Sequence, residues 1–403
     1  LLQQEQQQQQ RQRNTKHTTE MLPASSLLSS SIEEVEGEDS SRDISVEECL
    51  QEQGYYHNNS DNNNNSSTVG ELFKWIIFDF ESAQSTSTIS NTWSYAMSGM
   101  YEDRDYFVTD PRGYGYWMQA IVDHDFTTTE QLYLNHTVIS IDASAVSASS
   151  TKEGDGKIVV TTEDGTTFLS EYVICTLPLG VLQHELVEFI PEFSAQRKDA
   201  IQTMFMGNYA KLYIQFDSSF WNNDDRTDHE EILLTTQPTT TTTSDNNDVD
   251  ENATSVLLHF PWAINLDLPK YLPGSNILSF HVCGETAKLI ETQPLHTTLD
   301  AVVVLLQTKY GHETVNRSSV LAAHVTNWTH DKYSGYGSFP DWPIGFTYPQ
   351  FVELIKPFRN RIHFAGDHTH STFFGLGHGA ILSGRREATA ILQKIKSRQQ
   401  QIQ

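Results

Sequence analysis

The stretch that decides the fold is HFAGDHTHSTFFGLGHGAILSG, residues 363 to 384, near the carboxyl end of a 403-residue chain. With Arg361 and Ile362 before it, it reads as a strand over 361–366, an acid at Asp367, a glycine cluster and a helix over roughly 379–397. Gly366 permits a sharp turn with close backbone approach. Asp367 then falls at the carboxyl end of a strand, where open α/β sheets bind ligands. A carboxylate there only accepts hydrogen bonds, which suits sugar or ribityl hydroxyls. Gly375, Gly377 and Gly379 let backbone N–H groups crowd a flat or anionic ligand, and the helix turns its positive end to the same spot. A flavin fits, because its reduced form is negative near N1 and the C2 carbonyl. The alternative is a plain strand–turn–helix whose glycines serve packing, and the local pattern alone favours it.

Outward from this unit, strands and helices are mixed, so the class is α/β or α+β. Helical spacing marks 44–53, 69–84, 113–124, 195–204 and 297–310. Strands are expected at 131–144, 157–178, 209–216 and 255–262, with Glu163-Asp164-Gly165 as a hairpin turn. Three segments are too polar to offset ordering entropy: 1–42, 58–68 and 235–254, the last an insertion between strands.

The charge of −26 disfavours nucleic-acid phosphate as a partner and would draw in cations. Mean hydropathy is −0.45, and no apolar run is long enough to cross a membrane. Cys49, Cys175 and Cys283 form no CxxC pair, so neither a zinc site nor a disulfide framework is expected. Cys175 lies in an apolar run and reads as a small core residue.

In the expected strand 209–216, Tyr209, Lys211 and Tyr213 share one face, and a lone lysine there most often marks a solvated face. Trp342, Phe373 and Phe374 read as core, and His378 as an anchor of the last helix.

FMGNYAKLYIQFDSSFW, YVICTLPLGVLQ, FVTDPRGYGYWMQAI and YSGYGSFPDWPIGF occur in one order with the terminal unit. Together they resemble the flavin-containing amine oxidases, nearest to polyamine oxidases, over about 43–396. The resemblance implies a two-domain FAD-dependent fold. It implies oxidation of the carbon next to an amine nitrogen, hydrolysis of the imine, and reoxidation by dioxygen with release of hydrogen peroxide. Lys211 matches the family lysine that holds a water near flavin N5. Asp367 matches the acid, usually Glu, that contacts FAD, and Val138 the residue whose backbone meets the adenine end. Trp328 and Phe339 match aromatics beside the isoalloxazine and the substrate path. Leu376, with Gly377 a backbone contact of FAD, stands where polyamine oxidases often carry Tyr, so one side of an aromatic sandwich is lost. Glu81 and Gln84 fall on a helix that lines the family's substrate region, where either an ammonium or solvent would meet them.

The family opens with a strand, G-x-G-x-x-G and a helix that cradle the FAD pyrophosphate, and this chain has no such unit. The expectation is a fragment or truncated product with an incomplete FAD-binding sheet, an unpaired edge and exposed apolar surface. The flavin part should comprise about 104–185 and 327–397, and the substrate part about 43–103 and 186–326. The alternatives are a flavin oxidase of an amino acid, which would place an Arg near Lys211, or of another non-polyamine amine, and a non-catalytic fragment that binds a partner. A cytoplasmic or secreted location and the oligomeric state stay open.

Overall fold

The computed structural model describes residues 43–54, 72, 74–92, 108, 110, 112–126, 132–146, 156–222, 230–234, 239–241, 256–258 and 260–402. The expected low-complexity segments 1–42 and 58–68, and most of 235–254, lie outside the described residues. The strands in chain order begin with β1 (Val138–Asp142), β2 (Ile158–Thr162), β3 (Thr167–Ser170), β4 (Val173–Cys175) and β5 (Glu188–Ile190). They continue with β6 (Phe205–Met206), β7 (Tyr209–Phe216), β8 (Glu231–Leu233), β9 (Thr239–Thr241) and β10 (Val256–Leu258). The last five are β11 (Trp262–Asn265), β12 (Ile277–Cys283), β13 (Val320–Val325), β14 (Pro340–Asp341) and β15 (Ile362–Phe364).

Alternation dictates β7. Ala210, Leu212, Ile214 and Phe216 are fully buried on one face, and they meet Leu278, Phe280 and Val282 of β12 in one core. The antiparallel sheet runs β13-β7-β12-β11-β8. Helices Gly284–Thr292 and Leu295–Tyr310 contribute Ala287, Ile290, Val302 and Leu306 to that core. A second core gathers Ile141, Ile158, Phe189, Trp342, Ile362, Phe364 and Phe374. Ala200, Ile201 and Met204 join it, so helix Ala195–Thr203 packs with the core of β1, β2, β5 and β15 rather than with the β7 sheet. Ser194 caps that helix, and a Thr347–Gln350 capping box opens helix Tyr348–Ile355. Arg197 donates to the last carbonyls of the latter helix, from Glu353 at 3.2 Å and from Lys356, and joins the two ends.

The mixed α/β class is as expected. The expected strand 131–144 contracts to β1, because Asn135 takes a left-handed φ of +62° that ends any extended run. The expected strand 255–262 splits into β10 and β11, and Pro261 between them has no N–H to give a ladder. β9, inside the expected insertion, pairs with β10.

β4 and β15 pair in parallel, and among the described residues neither has a second neighbour. A two-stranded parallel ribbon is rare, since parallel sheets are buried and wide. The incomplete FAD-binding sheet is therefore present as expected. Exposed apolar surface is present too. In helix Tyr114–Asp125 no residue is buried, and Tyr114, Tyr116, Trp117 and Met118 face solvent.

Candidate active site

After β15 the chain turns at Gly366, whose φ of +134° no other residue adopts easily. A Cβ there would come within 2.8 Å of the His368 ring. The Ser383 hydroxyl, nearly two turns into helix Gly377–Ile402, accepts from the Gly366 N–H at 2.9 Å. Strand end and helix start are thereby locked together. Glu387 of the same helix meets His363 of β15 at 2.6 Å in the interior. Asp367 is half-buried. One of its oxygens accepts the His368 N–H at 2.9 Å, and the side chain stays 31% exposed.

The three glycines divide. Gly379 serves packing, because a Cβ would lie 1.9 Å from the Phe373 carbonyl. Gly375 does too, with φ +70° and a would-be Cβ 3.0 Å from the Pro340 carbonyl and 3.2 Å from the Phe339 ring. Gly377 differs. It is exposed at the amino end of the helix, and only the Tyr114 hydroxyl comes within 4 Å of its Cβ position. That open backbone at a positive helix end, beside the Asp367 acceptor, fits the flavin end of FAD. Leu376, half-buried, starts the helix through its carbonyl, which accepts from Ala380 at 3.2 Å.

Lys211 does not lie on a solvated face. It is half-buried, and burial pushes its ammonium below the usual lysine range. The reason is tertiary: the Trp75–Asp79 and Phe80–Ser82 turns and the Phe339 segment cover this face of β7. The Lys211 nitrogen lies 5.9 Å from the Tyr209 ring centre, the Tyr209 and Phe339 centres are 6.0 Å apart, and Phe339 packs on Gly375. One line of contacts thus runs from Lys211 to the turn that opens the last helix.

Trp328 joins this line through Glu291. The Lys211 N–H donates to the Thr326 hydroxyl at 3.0 Å, and that hydroxyl donates to Glu291 at 2.8 Å. The same carboxylate accepts the N–H groups of Trp328 at 3.2 Å and Thr329 at 2.8 Å. Val138 begins β1 of the β3-β2-β1-β5 sheet and packs on the second core.

Sequence reasoning missed Glu291, His281 and Asp341. Only strand pairing sets His281 opposite Lys211. Asp341 sat in the quoted GSFPDWP run, two residues after Phe339. It is buried, and it accepts from Gln84 at 2.8 Å and from the Trp342 N–H at 2.8 Å. Burial pushes its carboxyl up to about 6. Gln84 is thus committed to Asp341 and does not face an ammonium, whereas Glu81 is exposed and electrostatically coupled to Tyr209. Trp342 and Phe374 are core, as read. A separate cavity of about 300 Å³, lined by Leu182, Phe189 and Ile201 and by the acids Glu185, Glu188 and Glu192, contains none of the candidate residues.

The family model described as flavin containing amine oxidoreductase matches residues 8–392. Polyamine oxidase 7 of Oryza sativa subsp. japonica is 27% identical over 328 residues, 79% of this chain and 61% of its own. Polyamine oxidase 1 of Zea mays is 25% identical over 326 residues, 78% of this chain and 58% of its own. Lysine-specific histone demethylase 1 homolog 1 of Oryza sativa subsp. japonica is 29% identical over 248 residues, 62% of this chain and 26% of its own. The chain therefore spans about three fifths of the length of the polyamine oxidases it matches. In fold it is similar to a putrescine oxidase variant redesigned in its cofactor binding, with a TM-score of 0.65 at 11% identity, covering 93% of this chain and 77% of the other. The chain belongs to the family of flavin-containing amine oxidoreductases, and FAD is the cofactor that this membership implies.

Proposed function

We propose that this chain carries the flavin and amine ends of an FAD-dependent oxidase of polyamines that releases hydrogen peroxide. The line of contacts from Lys211 through Tyr209 and Phe339 to Gly375 carries this reading. FAD, when bound, accepts the hydrogen and two electrons of the carbon beside the amine nitrogen and passes them to dioxygen. Asp367, Trp328, Val138 and the Leu376–Gly377 backbone would hold it, with the helix end favouring negative charge. Lys211 would hold a water next to the reacting atoms, and Phe339 would flank the amine. Phe80 and Tyr209, with ring centres 5.3 Å apart, add an aromatic wall and compensate for the Leu at 376. An amino-acid substrate would need a cation for its carboxylate besides Lys211. Among the described residues, Phe80, Phe339 and His281 flank the Lys211–Tyr209 pair and Glu81 acts on Tyr209, which favours the amine. The separate cores fit a flavin part and a substrate part, with about 187–206 falling on the side of 104–185 and 327–397 rather than with the rest of 186–326.

The purified chain, incubated with FAD and freed of excess, is expected to hold a yellow flavin spectrum and to make peroxide with spermidine or spermine. A colourless protein that makes no peroxide sinks the reading.

A further inference from the structure

We propose that His281 is a positioning residue of the amine site: it takes the hydroxyl hydrogen of Tyr209 in a hydrogen bond, and so presents the Tyr209 oxygen as the acceptor for a substrate N–H beside Lys211. The proposal rests on the amine-oxidation reading.

β12 pairs with β7 so that His281 stands opposite Lys211, and Ser279 opposite Tyr213. The imidazole is 6% exposed. Its Nδ1 lies 2.7 Å from the Tyr209 hydroxyl and its Nε2 2.9 Å from the Ser279 hydroxyl. Phe80 stacks on the ring at 17° with centres 5.9 Å apart, and Trp262 meets it edge-on at 6.2 Å. The ring therefore has one orientation and two committed nitrogens. Burial, and then the Lys211 ammonium, push the imidazole down to about 3, so it is neutral at any working pH and carries one hydrogen.

A phenol is the stronger acid and a bare imidazole nitrogen the stronger base, so Nδ1 is bare and takes the Tyr209 O–H, and Nε2–H donates to the Ser279 hydroxyl oxygen. Tyr209 is left with oxygen lone pairs and no hydrogen to offer. Its ring centre is 5.9 Å from the Lys211 nitrogen and 6.0 Å from that of Phe339, and Glu81 is near enough to act on it electrostatically. An acceptor oxygen, aromatic faces and a nearby carboxylate together suit an amine with N–H to donate.

The test has two parts. In ¹⁵N spectra of histidine-labelled chain, His281 should show a bare Nδ1 and a protonated Nε2 from about pH 5 to 8. A protonated Nδ1, or titration in that range, overturns the proposal. In calorimetry with spermidine, His281→Phe should bind about tenfold more weakly than wild type, whereas His281→Asn, which keeps an acceptor near Nδ1, should recover most of the loss. Circular dichroism and melting identify variants that keep the fold. Equal affinity in a folded His281→Phe variant overturns the role of His281 alone. A wild-type chain that shows the expected tautomer but binds no amine overturns the amine reading, and with it the substrate half of the proposal.

Discussion

Lys211 and Asp341 show how burial, and not residue type, makes a side chain chemically useful. Both carry charges that the tertiary structure has taken from water, and each shifts toward its neutral form. Lys211→Met keeps the apolar stem and removes the cation. Peroxide production by the FAD-loaded chain should fall by about two orders of magnitude, with little change in melting temperature. Undiminished turnover would remove Lys211 from the reaction. Asp341 predicts a pH dependence of stability. Its folded value of about 6 lies above the unfolded value of 3.8, so the folded state binds the extra proton. Its contribution is fully present below the unfolded value and is lost as pH rises through about 6, amounting to about 3 kcal/mol at most. Urea unfolding at pH 4 and 7 should show Asp341→Asn losing less stability over that interval than wild type does. Parallel pH dependences in the two proteins would refute the assignment.

Among elements, the glycines of the terminal helix separate packing from ligand access. Gly379→Ala pushes a Cβ into the Phe373 carbonyl and should cost about 1–3 kcal/mol in urea unfolding. Gly384→Ala, in the same helix with nothing within 4 Å, should instead stabilise by about 0.5–1 kcal/mol. The same sign for both would show that the turn relaxes around Gly379. Glu291 acts at this scale too, because one carboxylate ties helix Gly284–Thr292 to β7 and to the Trp328 turn. Glu291→Ala leaves buried donors without acceptors. Hydrogen exchange should quicken at Trp328 and Thr329, and stay slow in β12. Unchanged protection there would mean that the turn holds without the acid.

The whole molecule carries a charge of −26, which would raise the local concentration of a cationic substrate such as the proposed amine. Amine affinity should weaken as salt rises from about 20 to 200 mM, more for spermine than for a monoamine, since screening acts on each charge. Affinities that do not change with salt would confine recognition to short-range contacts. The two-stranded β4–β15 ribbon and the exposed helix Tyr114–Asp125 belong to this scale as well.

By itself the sequence determined what depends on neighbours along the chain. The strand–Gly366–Asp367–helix unit, the 3.6-residue periods of the long helices and the alternation of β7 are local patterns that propensity and burial enforce. The motif order carried the family, and with it the positions Lys211, Phe339 and Asp367. The tertiary structure alone decided what depends on pairing across the chain. Lys211 reads as solvated until the segment around Phe80 and Phe339 covers it. His281 has no motif, and strand register alone sets it opposite Lys211. Glu291 and Asp341 look like any surface acids until the fold aims backbone and amide donors at them. Local pattern fixes which face a side chain takes, but desolvation and hydrogen-bond partners come from residues tens to hundreds of positions away, and those set its chemistry.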